Sequence, residues 1–332
     1  MLLLSEIMSA CLVIFIILLA FEAVYIHVAE RFGVSDCPNR RSSHNQTTVR
    51  GGGLVFVAGA IAFSVWSGWL YPLFLVGLVV IAAVSFADDL RGAPIWLRLA
   101  GQFAGMALVM AQADSFALPA AVWLAVLVVG VAFLNAYNFM DGINGSAGLY
   151  TLVALGSLGV LNHDDGFIDW RFLCAGLLAA VVFCIFNVRT RARCFAGDVG
   201  SLAMGATVLF PLLLLIEASG CWAWIVLVSV YGTDAALTIL RRIAMRKNIF
   251  EAHRMHAYQL LCNELGHSHL AVAAAYAAIQ LAINAGAIFL PVDRYVYLIA
   301  VVSGLSAGYI GVIKYSRHQL PVRDVRQDRK AD

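Results

Sequence analysis

Charge is what this chain has least of. Only 13% of its 332 residues are Asp, Glu, Lys or Arg, whereas 62% are hydrophobic, and the mean hydropathy is +0.85. Soluble domains carry roughly 25% charged residues, so a soluble globular protein is excluded. The length therefore describes one helical bundle rather than several soluble domains. The seven cysteines, at 11, 37, 174, 184, 194, 221 and 262, form no C-x-x-C pair and mostly lie inside apolar runs. That excludes a zinc or disulfide framework and leaves them as small hydrophobes. The opening Met1-Leu2-Leu3-Leu4-Ser5-Glu6 has no basic stretch, and the apolar run after it has no clear cleavage site. A retained anchor is expected rather than a removed signal peptide. There is no repeat, low-complexity tract or soluble domain. The net charge of +2 says little about partners, and no nucleic acid is expected among them.

What the chain has instead is long apolar runs. A membrane helix needs about 20 mainly apolar residues, and eleven candidates appear, at roughly 7–29, 54–70, 72–87, 95–112, 119–136, 147–161, 171–187, 200–216, 221–240, 270–290 and 294–314. The break near Gly68 to Pro72 is thin, so ten spans would also fit. With the N-terminus outside, every one of the 22 basic residues except Arg171 and Arg294 falls in a cytoplasmic loop or the C-terminal tail. This segregation sets orientation. The expected fold is all-α, a polytopic membrane helical bundle, with residues 1–316 as one integral-membrane domain and 317–332 as a polar cytoplasmic tail. Two N-x-S/T sequons, at Asn45 and Asn144, fall on the cytoplasmic side and are not read as glycosylation sites.

Five cytoplasmic segments carry chemistry-bearing residues. The first runs from Arg40-Arg41-Ser42-Ser43-His44 to Arg50-Gly51-Gly52-Gly53. It reads either as a positive-inside anchor with a hinge or as a glycine-rich approach to an anion. The second, Asp88-Asp89, places adjacent carboxylates where a span leaves the membrane, and carboxylate oxygens suit Mg²⁺ shared with phosphates. In the third, Asn135, Asn138 and Asp141 recur every three residues on one broad helix face. The asparagines could simply bond helix to helix, but Asp141 is hard to explain that way. Asn187 precedes the fourth, Gly197-Asp198-Val199-Gly200-Ser201. There Ser201 and Asp198 could cap a helix, and Arg189, Arg191 and Arg193 serve topology. The fifth holds His253, Arg254 and His256. The two histidines share a face if that loop is helical, and two imidazoles alone make a weak zinc site. The second, sixth and eighth spans all begin on this side, aiming their positive dipole ends at one surface. Carboxylates for a metal, helix N-termini for phosphates and Arg/His for a leaving group are what phosphoryl transfer needs.

In these five segments, taken in order, the chain resembles the MraY/WecA superfamily of polyprenyl-phosphate N-acetylhexosamine-1-phosphate transferases. The resemblance implies transfer of a sugar 1-phosphate from a UDP-N-acetylhexosamine to undecaprenyl phosphate in the bacterial inner (cytoplasmic) membrane, with UMP leaving. It implies dependence on Mg²⁺, with Mn²⁺ able to substitute. By matching position it makes Asp88, Asp89 and Asp141 catalytic together with His253 and His256. Asp198 becomes the principal metal ligand, with Asn138 at the metal or nucleotide site. His44, Arg50, Asn138, Asn187 and Arg254 line the substrates, Asn187 as a nearby support, and the ninth span with its loop lines a lipid groove. The third acid of the family's D-D-x-x-D pattern is Gly92 here, so a third-carboxylate role is absent. The His-Arg-Met-His order departs from the triple histidine of the peptidoglycan enzymes. It looks more like surface-polysaccharide initiators, pointing to UDP-GlcNAc or a 6-deoxy relative such as UDP-FucNAc or UDP-QuiNAc.

Two other classes compete. A transporter or flippase would carry ionisable residues at the midplane of several spans, where Glu22 and Asp234 are the candidates. An aspartate-rich polyprenyl transferase would need two facing Asp-rich motifs, and only Asp88-Asp89 is paired. The apolar outer surface reads equally as lipid-facing or as a homodimer face.

Overall fold

A computed structural model describes residues 2–38, 46–113, 118–248 and 253–319. His44, Arg40, Arg41 and the tail beyond Gln319 lie outside the described residues. The described chain is helical apart from a two-residue hairpin rung, β1 (Ser35–Asp36) against β2 (Thr48–Val49). The helices are α1 (Leu2–Phe32), α2 (Leu54–Ser67), α3 (Pro72–Arg91), α4 (Ile95–Gln112), α5 (Ala120–Phe139), α6 (Ser146–Asp165), α7 (Trp170–Asn187) and α8 (Gly197–Ser219). A 3₁₀ stretch, Trp222–Val228, then runs into α9 (Ser229–Ala244), followed by the short α10 (Ala257–Gln259), α11 (His269–Phe289) and α12 (Arg294–Gln319).

A helix stands at each of the eleven expected apolar runs, so the all-α polytopic reading holds. Eight of the described helices are long and apolar enough to cross a membrane. The three that fall short have local reasons. α2 has only 14 residues, α4 carries Arg98 and two glutamines, and α6 ends in Asn162-His163-Asp164-Asp165. The thin break after α2 is a real turn. Gly68 closes the helix at φ 73° with its N–H on the Ser64 carbonyl, and Pro72 opens the next helix, where its missing N–H costs nothing.

α8 is the central post. Val199 through Leu212 are buried without interruption, as expected of a helix apolar all round. Its neighbours are α2, α3, α5 and α6. By contrast α1 and α12 are mostly exposed apolar surface. Small residues allow the closest approaches: a Cβ on Gly53 would collide with Gly200 Cα, the small-on-small packing that membrane helices use. The consequence for function is positional. The N-terminus of α8, with Asp198, is delivered to the middle of one end of the bundle.

Candidate active site

The segment before α2 pairs with the segment before α8. Phe195 N–H donates to Val49 O (2.8 Å), Gly52 N–H to Phe195 O (2.9 Å) and Gly53 N–H to Ala196 O (3.2 Å). This backbone strap explains the triple glycine, which holds two helix starts together. It also sets Arg50 beside Asp198. Arg50 Nε donates to Asp89 Oδ1 at 2.7 Å and its Nη2 to Asp198 Oδ1 at 3.0 Å. Arg98, on α4, repeats the pattern: Nε to Asp88 Oδ2 at 3.1 Å and Nη2 to Asp198 Oδ2 at 3.2 Å. Two planar guanidinium forks, a geometry Lys cannot supply, thus chain three carboxylates from α3 and α8 into one cluster. Arg98 was legible only as a topology charge. Its role became visible when α3 and α4 folded back on each other.

The two adjacent aspartates differ. The Asp89 side chain is 0% exposed and accepts the N–H groups of Asp198 (3.1 Å) and Val199 (3.0 Å). It caps α8 from a different helix and meets its dipole. Asp88 stays 12% exposed, its other oxygen accepting Ala93 N–H at 2.6 Å. Asp88 is therefore the more exposed member of the pair, with both oxygens engaged. The expectation that three helix N-termini offer free N–H groups to phosphates needs correcting. At α8 the first amides go to Asp89, at α2 the glycine amides go to carbonyls, and at α6 Gly145 N–H goes to Asn187 Oδ1 at 2.7 Å.

Asn187 donates its amide to Cys194 O at 2.9 Å and is 2% exposed. Both ends of it are spent on backbone, so it supports the site from behind. Asn135 bonds Gln102 at 2.6 Å, joining α5 to α4. Asn138 and Asp141 differ from it: neither side chain makes a hydrogen bond or ion pair to a described residue. Burial pushes the Asp141 carboxyl well above the usual carboxylate range. The nearby Asp198 and Asp89 charges add to this and Arg50 opposes it. Burial beside other carboxylates with no donor among the described residues favours the neutral acid.

Among the described residues no three His, Cys, Asp or Glu side chains stand ready to hold a metal ion. Mg²⁺, where it binds proteins, takes one or two carboxylates and completes its shell with water and substrate phosphates. Asp198 and Asp141, with the Asn138 amide, are the donors that fit.

His253 and His256 do not share a helix, since residues 253–255 are irregular and His256 caps α10. Their rings nonetheless stack at 5.0 Å, and each lies about 6 Å from the Phe139 ring at the end of α5. Burial pushes His253 down to about 4, and the neighbouring His256 and Arg242 push the same way. It is uncharged at neutral pH. Arg254 is half-buried between them. Asp234 and Glu22 are both fully buried and both belong to this end of the bundle. Glu22 accepts from Cys194 Sγ at 3.2 Å behind Gly52, and Asp234 holds His256. Neither marks a midplane transport path.

Two further cavities are lined by residues outside the cluster. One of about 490 Å³ is lined by Thr48, Asn144, Thr190, Arg191, Phe195 and His269. The other, about 630 Å³, is an almost wholly apolar groove bounded by α5, α8, α9 and α12, with Phe133, Leu212 and Val302 among its walls.

Clasped carboxylates at one end of an apolar, multi-helix bundle define a polytopic membrane protein with a charged cluster at one end. Residues 71–216 match the family model described as glycosyl transferase family 4. Over 73% of its length the chain is 27% identical to 73% of a decaprenyl-phosphate N-acetylglucosaminephosphotransferase from Mycobacterium leprae. Over 75% of its length it is 26% identical to 74% of an undecaprenyl-phosphate α-N-acetylglucosaminyl 1-phosphate transferase from Yersinia pestis. It is also 28% identical, over 57% of its length, to 67% of a phospho-N-acetylmuramoyl-pentapeptide-transferase from Lacticaseibacillus paracasei. These similarities support the resemblance to the MraY/WecA superfamily within glycosyl transferase family 4.

Proposed function

We propose that this protein transfers an N-acetylhexosamine 1-phosphate from a UDP-sugar to undecaprenyl phosphate at the cytoplasmic face of a bacterial inner membrane, starting a cell-surface polysaccharide. The observation that carries this reading is the Arg50–Asp198–Arg98 clasp, which gathers Asp88, Asp89 and Asp198 under two guanidinium groups. In the reaction an oxygen of the lipid phosphate attacks the sugar-linked phosphorus. The bond from that phosphorus to the bridging oxygen breaks, and UMP leaves with that oxygen. Asp88, the more open acid, orients the attacking phosphate. Arg50 and Arg98 offset the charge that gathers on the phosphoryl oxygens, in a site partly screened from water. A Mg²⁺ ion held by Asp198 and Asp141 supplies further charge neutralisation when bound.

The polar cavity suits the nucleotide: the Phe195 ring can take the base face, while Arg191 and His269 meet negative charge. The apolar groove suits an isoprenoid chain. The histidine loop departs from a triple histidine, which favours UDP-GlcNAc or a 6-deoxy relative over a muramyl-pentapeptide donor. Purified protein in detergent, given undecaprenyl phosphate and a panel of UDP-sugars, should release UMP with one N-acetylhexosamine donor and only with Mg²⁺ or Mn²⁺ present. Undiminished turnover after complete metal removal refutes the metal assignment. No UMP from any donor refutes the transfer itself.

A further inference from the structure

A buried carboxylate with four donors stands behind the histidine loop. Asp234, on α9, is 4% exposed. Its Oδ1 lies 3.2 Å from His256 Nδ1, 3.1 Å from the Ala257 amide nitrogen and 3.2 Å from Thr238 Oγ1. Its Oδ2 accepts the Tyr276 hydroxyl of α11 at 2.8 Å. Thr238 in turn meets the Tyr309 hydroxyl of α12 at 2.9 Å. One acid thus ties three helices to the loop that carries His256. An acid buried this deeply among membrane helices is costly unless fully satisfied, and this one is satisfied by a histidine.

The geometry decides which imidazole nitrogen is left over. An ionised carboxylate only accepts hydrogen bonds. The Gln259 N–H also faces the His256 side chain, but a carboxylate oxygen within reach of Nδ1 requires the proton on that nitrogen. Nε2 is buried and has no hydrogen-bond partner among the described residues. His253 Nδ1, in the ring stacked beside it, is likewise buried and has none among them. Both rings stand against Phe139, two residues from Asp141, and Tyr258 of the same loop donates to the Phe139 carbonyl at 2.7 Å. The loop is therefore seated on the turn that carries Asp141.

We propose that Asp234 is a positioning residue for the transfer reaction: it holds His256 with Nδ1–H turned inward, so that Nε2 is the nitrogen presented to the sugar-diphosphate donor. This rests on the functional reading above, and a carboxylate that orients an imidazole by its second nitrogen is a general device for fixing which nitrogen meets the substrate. The test uses full-length protein in detergent. In ¹⁵N-histidine spectra the signal lost in His256→Gln should carry a proton on Nδ1, and Asp234→Asn should shift it. An unprotonated Nδ1 at His256 in the wild type overturns the proposal whether or not the protein makes UMP, so the two readings fail separately. In kinetics, Asp234→Asn and His256→Gln should each cost about 10²-fold in kcat, the scale of a misplaced group. The double variant should lose no more than His256→Gln alone, because the two act as one unit. Losses that multiply overturn the proposal. Thr238→Val and Tyr276→Phe, which strip other donors from the same carboxylate, should lower the melting temperature while leaving kcat within about threefold, since neither touches the imidazole. If these two lose as much kcat as Asp234→Asn, the carboxylate is only a structural tie and the proposal fails.

Discussion

Replacing Arg98 with Met keeps most of the stem's packing and removes only the guanidinium fork. In the native protein that fork joins Asp88 (3.1 Å) to Asp198 (3.2 Å), with 30% of the Arg98 side chain exposed. Removing one partner of a fully buried pair costs about 3–5 kcal/mol, and exposed pairs are worth about 0.2–1 kcal/mol. The partial exposure places Arg98 between these limits, at roughly 1–3 kcal/mol. Asp198 keeps Arg50 and Asp88 keeps the Ala93 amide, so the bundle still folds. Turnover falls further than stability does, by about 10²–10³-fold in kcat, the usual cost of deleting one charge-stabilising donor. Arg98→Lys fails nearly as badly, because a point charge cannot span two carboxylates. The metal requirement moves the other way. A cation no longer competes with Arg98 for Asp198, so the metal concentration that half-saturates Mg²⁺- or Mn²⁺-induced thermal stabilisation drops. UMP release, melting temperature in detergent and a metal titration read the three effects. Wild-type kcat in a well-folded Arg98→Met protein, or a metal titration that does not move, would refute the reasoning.

Asp198→Asn should insert and melt near the wild type yet release no UMP and lose metal-induced stabilisation; normal turnover in that variant contradicts its assignment. Asp141→Asn should melt higher than the wild type at pH 8 while losing turnover. Its folded carboxyl is pushed up, so stability is lost as pH rises through that raised value, and the neutral amide escapes this loss. An unchanged or lower melting temperature at pH 8 counts against it. His253, pushed down to about 4, binds fewer protons folded than unfolded between pH 4 and its ordinary range. Melting temperature should therefore fall as pH drops from about 6.5 toward 4 and be flat above, and His253→Gln should remove part of that slope. Gly53→Ala, whose new methyl meets the Gly200 backbone, should separate the α2 and α8 starts and abolish both folding yield and activity. Normal yield would mean the strap can slide.

The sequence alone established the solvent of this protein and, as an expectation, the side its chemistry occupies. Runs of apolar residues and the one-sided distribution of Lys and Arg are local and additive, so they can be counted without knowing any contact. The identities of Asp88, Asp89, Asp141 and Asp198 were legible for the same reason, since acids at helix ends are conspicuous in an apolar chain. What each acid does was not. Asp88 and Asp89 are neighbours in sequence, yet Asp89 caps α8 while Asp88 pairs with Arg98 and the Ala93 amide. Only the packing of α3 against α8 separates them. Arg98 read as a topology charge and Asp234 as a stray membrane acid, because their partners lie 100 and 22 residues away. Hydrogen bonds and ion pairs at that separation are set by which helices touch. Helix contact here depends on where glycines let backbones meet, and only the folded bundle decides that.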